Sequence, residues 1–374
     1  MLAYKSALLL ALAAALFIPA WHPAGAQEPG HEARTADNPI ASIKPRAGRT
    51  RPVVAVIGDN SGTEMTDFVI PYSILKESGS ADVLALAARP GPVSMRPTSL
   101  KLLPQDTLAG FDLRYPDGAD VVVVPAVAGR GEPELLAWLA GQAGKGATVV
   151  GICDGAFVLA RAGLLQGRRG TAHWFTHEMR GKEFPDTTWL KNVRYVVDGK
   201  VVTSAGISAA LPTSLALVEA IGGREQAAAI AARYGIEDWS AQHDSDKFVP
   251  KFGTNLSGHV AVHYTNGWLH ASENLGIPVR SGVDDLSLAL AMDAWSRTGR
   301  SRAYALVPGG EAFTTRNGLR FVASVAATQR ILPALAMDPV AGVFDRVLDG
   351  IEKDYGRRTA DGVAYDFEYT RRRD

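Results

Sequence analysis

The stretch VVGICDGAFVLARAGLL, Val149 to Leu165, decides the fold. Its first residues end an apolar, β-branched run from Ala147 to Ile152, the pattern of a strand buried on both faces. From Gly155 to Leu165 apolar residues recur at helical spacing. The strand ends at Gly151 and Ile152, Cys153 occupies the join, and Gly155 lets the helix pass close to the strand. Gly-x-Cys-x-Gly between a strand and a helix follows the logic of the nucleophile elbow, where a strained turn lifts a reactive side chain above the sheet. At a helix start the macrodipole and free N–H groups favour thiolate over thiol. Asp154 opposes this unless its carboxylate turns away to cap the helix.

Outward from the elbow, Val53 to Ile57, Asp82 to Ala87, Asp120 to Val124 and Val201 to Ser204 read as short strands. Asp67 to Lys76, Glu134 to Ala143 and Thr213 to Ile221 read as helices. This alternation predicts an α/β domain over 52–239, with a parallel sheet and helices on both faces. A chain of 374 residues, 47% apolar, exceeds the usual single domain. The remainder, 240–374, echoes the first part. DDLSLALAMDAWSRTGRSRAYALVPGGEAFTTRNGL from Asp284 parallels TDFVIPYSILKESGSADVLALAARPGPVSMRPTSL from Thr66, each with an acidic start, a helix, a Gly turn, a strand, and a Pro/Gly turn followed by a basic residue, Arg316 or Arg96. Arg346 to Tyr369 likewise echoes Leu217 to Tyr234. The second copy has no cysteine and no elbow strand, so it is expected to be a smaller, degenerate α/β repeat without chemistry, packed on the first as a pseudo-dimer within one chain.

The counts of basic and acidic side chains, 39 and 39, leave no net field to favour nucleic acid or an anionic membrane. Residues 1–26 read as a signal peptide, with Lys5, an apolar run from Ala7 to Ile18, and a small-residue exit at Ala24, Gly25 and Ala26. A membrane span needs about 20 apolar residues, and Pro19 interrupts this run too early. The expected location is periplasmic or secreted, with no membrane contact after cleavage. Residues 27–51, rich in Pro, Gly, His and charge, read as a flexible lead. One cysteine permits no internal disulfide.

Several motifs come in one order: EMTDFVIPY with Asp67, VVVVP ending at Pro125, GICDGAFVLA with Cys153, TAHW with His173, and VVTSAGISAALPTSLALVEAIGG from Val201 to Gly223. Together they resemble the ThiJ/PfpI superfamily, the class I glutamine amidotransferase-like group that includes bacterial isonitrile hydratases and amidase-like regulators. The resemblance covers about half of the chain. It implies a flavodoxin-like three-layer sandwich. It also implies Cys153 as nucleophile, His173 as the histidine after the elbow helix, and Asp67 as an acid that hydrogen-bonds the sulfur. Such an acid is useful protonated, and burial beside another negative group raises its pKa in that direction. The implied oxyanion hole uses the backbone N–H groups of Asp154 and Val127. Two positions depart from the family pattern. Ala126 and Val127 stand where two glycines are usual, and valine is a poor occupant of a positive φ. Asp154 stands where relatives carry Ala or Thr.

Each residue also has a structural reading. A free cysteine is often a small buried hydrophobe, His173 beside Trp174 reads as a satisfied, partly buried histidine, and Asp67 reads as a helix N-cap. The pairs His173 with His177 and His259 with His263 have the spacing that puts two imidazoles on one helix face. Without a third ligand such pairs read as surface features, so no metal and no cofactor are expected. The leading functional reading is an exported enzyme in which the Cys153 thiolate, with His173 as proton shuttle and Asp67 as orienting acid, hydrolyses or hydrates a C–N bond of a small electrophile. The alternative is a non-catalytic domain that senses a ligand or an oxidant, and an inert relic is the third. The partner in the first two is a small molecule, with no nucleic acid.

Overall fold

In the computed structural model the described residues are 39–129 and 131–371. The expected signal peptide and the lead up to residue 38 lie outside them. Strand β1 (Val53–Gly58) is buried throughout. It divides its side chains by parity, as a pleated strand must: Val54 and Val56 enter one core, Val53, Ala55 and Ile57 the other. Helix α1 (Met65–Ser78), strand β2 (Asp82–Ala87) and the hairpin β3 (Val93–Arg96) with β4 (Lys101–Leu103) follow. Next come β5 (Val121–Val124), α2 (Pro133–Gly144), β6 (Thr148–Gly151) and α3 (Gly155–Arg161). The half closes with β7 (Tyr195–Asp198), β8 (Val201–Ser204), α4 (Ala210–Gly222) and α5 (Arg224–Arg233).

The main sheet has the order β7-β8-β6-β5-β1-β2 with the edge pair Asp106–Thr107, and every neighbouring pair is parallel except β7 with β8. On one face, Phe68, Val69 and Leu75 of α1 pack with Leu215, Leu217 and Val218 of α4. On the other, Leu135 and Leu139 of α2 pack with Ala156, Val158 and Leu159 of α3. These are the three layers of a flavodoxin-like sandwich. The chain turns from one side of the sheet to the other between β1 and β5, and the carboxyl ends of strands at such a switch open a crevice for ligands. Helix α3 is shorter than its apolar spacing predicts, because Gly163 turns the chain at φ 77°.

The second region contains α6 (Leu256–Val260), β9 (Glu273–Pro278), α7 (Asp285–Arg297), β10 (Ser301–Leu306), β11 (Ala312–Thr314), β12 (Arg320–Val322), α8 (Val343–Tyr355) and α9 (Arg357–Asp366). It is a degenerate α/β region. Strand β9 pairs in parallel with β10 as β1 does with β2. The hairpin β11–β12 joins the hairpin β3–β4 through an antiparallel β12–β4 contact that sets Phe321 opposite Leu102. Leu286, Met292 and Trp295 of α7 share one core with Phe68 and Val69 of α1.

Over its described half the lead packs on the domain. Ile40 and Ile43 are buried, the Ile43 N–H donates to Ala220 O at 2.9 Å, and the Arg46 and Arg49 guanidinium groups flank the Asp120 carboxylate. Two isoleucines three residues apart supply enough apolar surface to hold this segment against α4. Among the described residues no helix is long and apolar enough to cross a membrane.

Candidate functional site

The elbow forms because two glycines let it. A Cβ at residue 155 would lie 2.0 Å from Val124 O, and one at 151 would lie 2.9 Å from Ala156 N. Between them Cys153 adopts φ 55°, a left-handed conformation strained for a residue with a side chain. The turn is held by the Cys153 N–H donating to Ser204 Oγ at 3.2 Å, from the end of β8. Cys153 is 6% exposed.

Asp67, in the first turn of α1, is fully buried. Its Oδ2 accepts the Ala126 N–H at 3.2 Å, and its Oδ1 has no hydrogen-bond partner. Burial holds its carboxyl well above the usual range, with Asp293 adding to the rise. Burial likewise lifts Glu64. Glu64 accepts from Arg297 Nη2 at 2.6 Å, Asp293 accepts from Arg297 Nε at 2.5 Å, and Thr66 Oγ1 donates to Asp293 at 2.9 Å. Burial disfavours the charge on Arg297, but the carboxylates of Asp293 and Glu64 outweigh it and raise its pKa. Helix α7 therefore supplies both an acid and a cation beside the first turn of α1. The second copy was expected to carry no chemistry, and sequence reasoning missed this contribution.

The expected thiolate activation meets a counter-force. Burial, followed by the charges of Asp67, Asp154 and Glu64, pushes the Cys153 thiol well above the ordinary range, although the Asp154 N–H bond to sulfur opposes the rise. The dipole of a seven-residue helix is too small to win. The Asp154 carboxylate does turn away, but not to cap the helix: it accepts from Thr176 Oγ1 at 2.7 Å. Thr176 in turn accepts from Arg180 Nη1 at 3.1 Å. Arg180 is buried, its pKa lowered to about 10 by burial, and it is a second cation the sequence did not reveal.

His173 is engaged elsewhere. Its Nε2–H donates to Asp366 O at 2.9 Å, and its Nδ1 accepts the Phe175 N–H at 3.2 Å. Both ring nitrogens are thus occupied by backbone groups, one of them from the last turn of α9. Glu368, just beyond, accepts from the N–H groups of Trp174 and Gly206 and from His243. At the proposed oxyanion position, Glu64 N donates to Ala126 O and Ala128 N to Gly62 O, which leaves the Val127 N–H outside this pairing. Among the described residues the positive-φ residues other than glycine are Cys153, Asn192 and Glu368, so Val127 needs no left-handed backbone and its side chain causes no strain.

The histidine pairs separate in character. His177 lies near Arg180, whereas His259 is buried and, with His263, meets Asp366. The pair is not a surface feature, and a third donor comes from a hundred residues downstream. Two cavities, of about 630 and about 420 Å³, lie away from the sulfur: one between the 39–44 segment and α4, the other between α4 and α8, and neither is lined by Cys153.

The model of the DJ-1/PfpI family matches residues 53–220. The isonitrile hydratase of Pseudomonas putida is 30% identical over 169 residues, 44% of this chain and 70% of that protein. The HTH-type transcriptional regulator CdhR of Pseudomonas aeruginosa is 33% identical over 102 residues, 27% of this chain and 30% of the regulator. Among solved structures, Drosophila melanogaster DJ-1beta overlays with a TM-score of 0.44 at 22% identity, covering 50% of this chain and 100% of that one. With the elbow, the sheet order and a relative matched over most of its length, the chain belongs to the DJ-1/PfpI family.

Proposed function

We propose that Cys153 and Asp67 form a thiol and carboxylic-acid pair that adds water across a small C–N multiple bond of the isonitrile type. The observation that carries this reading is Asp67: a buried carboxyl anchored through Oδ2, with Oδ1 unpartnered, in surroundings that shift it toward its protonated form. A neutral acid beside a thiol suits a substrate whose carbon must gain a proton as sulfur attacks. Asp67 gives its proton to the terminal carbon of R–N≡C. The sulfur bonds to that carbon, and the thiol proton returns to the Asp67 carboxylate. Water then adds to the resulting R–N=CH–S link, the C–S bond breaks, and R–NH–CHO leaves with the thiol restored. A histidine-dependent amide hydrolysis, with an imidazole protonating the leaving amine, is disfavoured because His173 has both nitrogens committed. The name of the Pseudomonas putida relative agrees with hydration. The N–H groups of Val127 and Asp154 are the donors we assign to the oxygen developing in the second step.

The test is formamide production from a small alkyl isonitrile, run beside hydrolysis of the matching amide. Asp67→Asn and Cys153→Ser should each lower hydration by about 100-fold or more, the scale of acid–base and nucleophilic contributions, while His173→Ala keeps most of it. Amide hydrolysis that depends on His173 would reject the reading. Ligand sensing without turnover is the second reading, favoured by the small exposure of Cys153. It predicts isonitrile binding with no formamide. Export also belongs to the proposal, resting on the composition of residues 1–26.

A further inference from the structure

We propose that His259, His263 and Asp366 bind one divalent transition-metal ion of the zinc class, in a site independent of the reaction assigned to Cys153. Helix α6 runs into a π-helical turn, Ala261–Thr265, a distortion found often at functional sites. The two imidazoles stack nearly parallel, at an interplanar angle of 7° with centroids 6.3 Å apart. Asp366, the last residue of α9, faces them, and the three donor atoms lie within 4.8 Å of one another. His263 Nε2 and Asp366 Oδ1 are already 3.0 Å apart. A tetrahedral ion with bonds of about 2.0–2.1 Å holds its donors about 3.3 Å apart, so ion binding would draw the three groups closer by about 1.5 Å at most.

The second, independent observation is His259 itself. It is 3% exposed, and its Nε2–H donates to Phe248 O at 2.9 Å. That bond fixes the tautomer and leaves the lone pair on Nδ1. The Nδ1 atom is buried and has no hydrogen-bond partner, which native interiors seldom tolerate. A backbone carbonyl holding one imidazole nitrogen while the other keeps a free lone pair is the outer-shell arrangement of metal-bound histidines. Trp174 and Tyr365 wall the ring. The His263 side chain keeps 36% exposure, leaving a side open for water as a fourth ligand. Two imidazoles and one carboxylate suit zinc and its imidazole-preferring neighbours rather than calcium or magnesium. Arg297 also faces Asp366 electrostatically, but its guanidinium is paired with Asp293 and Glu64. Ion binding would displace the proton between His263 and Asp366 to solvent. It would also stiffen the end of α9, whose Asp366 carbonyl holds His173.

The full chain, stripped with chelator and dialysed, is titrated with Zn²⁺ by calorimetry and with Co²⁺ by visible absorption. The expected result is one ion per chain and the intense d–d bands of four-coordinate cobalt. His263→Gln and Asp366→Asn should each weaken binding by about 100-fold, at the upper end of what even outer-shell changes cause, and His177→Gln should leave it unchanged. Circular dichroism checks that the variants fold. Should a variant unfold, the cobalt spectrum of the unaltered chain decides alone: absent four-coordinate bands overturn the proposal. So does binding of equal strength in folded His263→Gln and Asp366→Asn.

Discussion

Replacing Asp67 by Asn should make the protein more stable as the pH rises while removing its activity. Asn is nearly isosteric. Its carbonyl oxygen can still accept the Ala126 N–H that Asp67 Oδ2 accepts at 3.2 Å, and its amide occupies the place of the unpartnered Oδ1. The sign follows from linkage. Burial raises the folded-state pKa of Asp67, so the folded chain retains a proton that the unfolded chain releases above about pH 3.9. The contribution of this group to stability is full below that pH and is lost as pH rises toward the folded pKa, at about 1.4 kcal/mol per pH unit. Asn carries no such loss. The stability advantage of Asp67→Asn over the parent should therefore grow with that slope above about pH 4 and level off at the folded pKa of Asp67. Glu64 is also raised, but it is present in both proteins and largely cancels in the difference. Urea unfolding followed by tryptophan fluorescence from pH 4 to 8 measures the difference. A gap that stays constant with pH would mean that folding does not raise the Asp67 pKa, and a parent that gains on the variant as pH rises would mean that Asp67 is ionised and stabilised by a cation such as Arg297. The hydration reading would then lose its proton donor.

Other expectations rest on separate observations. The iodoacetamide reactivity of Cys153 should rise only at a pH above that of a free thiol, since burial and three carboxyls raise its pKa; a profile shifted below that of a free thiol would restore the dipole argument. Gly155→Ala should destabilise the chain by about 3 kcal/mol, because its Cβ meets the backbone oxygen of Val124 at 2.0 Å, and a thermal melt unchanged from the parent would contradict the elbow geometry. A fragment 240–374 expressed alone should fail to fold, because the buried residues of α7 share their core with α1; a cooperative melt of the fragment would show an independent module. Protein recovered from an oxidising-compartment extract should begin near Gln27 by mass spectrometry, and an intact Met1 start in the membrane fraction would replace export with anchoring.

The elbow, the strands and the family were legible because they rest on local chemistry. Gly151, Cys153 and Gly155 specify a turn within five residues, and the valines of β5 specify a strand buried on both faces. Asp67 and Asp154 beside the sulfur were legible, but Glu64 and its partners Arg297 and Asp293 were not. Thr66 and Asp293 are 227 positions apart and Glu64 and Arg297 are 233, and only the packing of α7 on α1 brings them together. His173 shows a different gap: its spacing places it after the elbow helix but does not say which way the ring points, and the Asp366 carbonyl decides that. The pair His259 and His263 carried the right spacing, while its third donor sits on α9 with no sequence signal linking them. The thiolate expectation weighed the helix dipole and left out burial, the larger force at a covered sulfur.

The echo between the two halves supplies an internal comparison that bears on Asp67. In the alignment that sets Thr66 beside Asp284, Asp67 falls on Asp285, and both carboxyls are buried at the start of a helix packed on its counterpart. Asp285 has no elbow near it and is fully satisfied: Thr315 Oγ1 donates to its Oδ1 at 2.6 Å, and the N–H and amide of Asn317 both donate to its Oδ2 at 3.1 Å. Asp67 keeps one oxygen without a partner, in the copy that retains the cysteine. If the orphaned oxygen were only a packing defect, nothing would favour its appearance in this copy over the other, and Thr315 with Asn317 shows that the fold can satisfy a buried acid at this position. An atom that stays unsatisfied where the nucleophile is kept, and is capped where it is lost, is the pattern expected if that oxygen makes its hydrogen bond to a substrate.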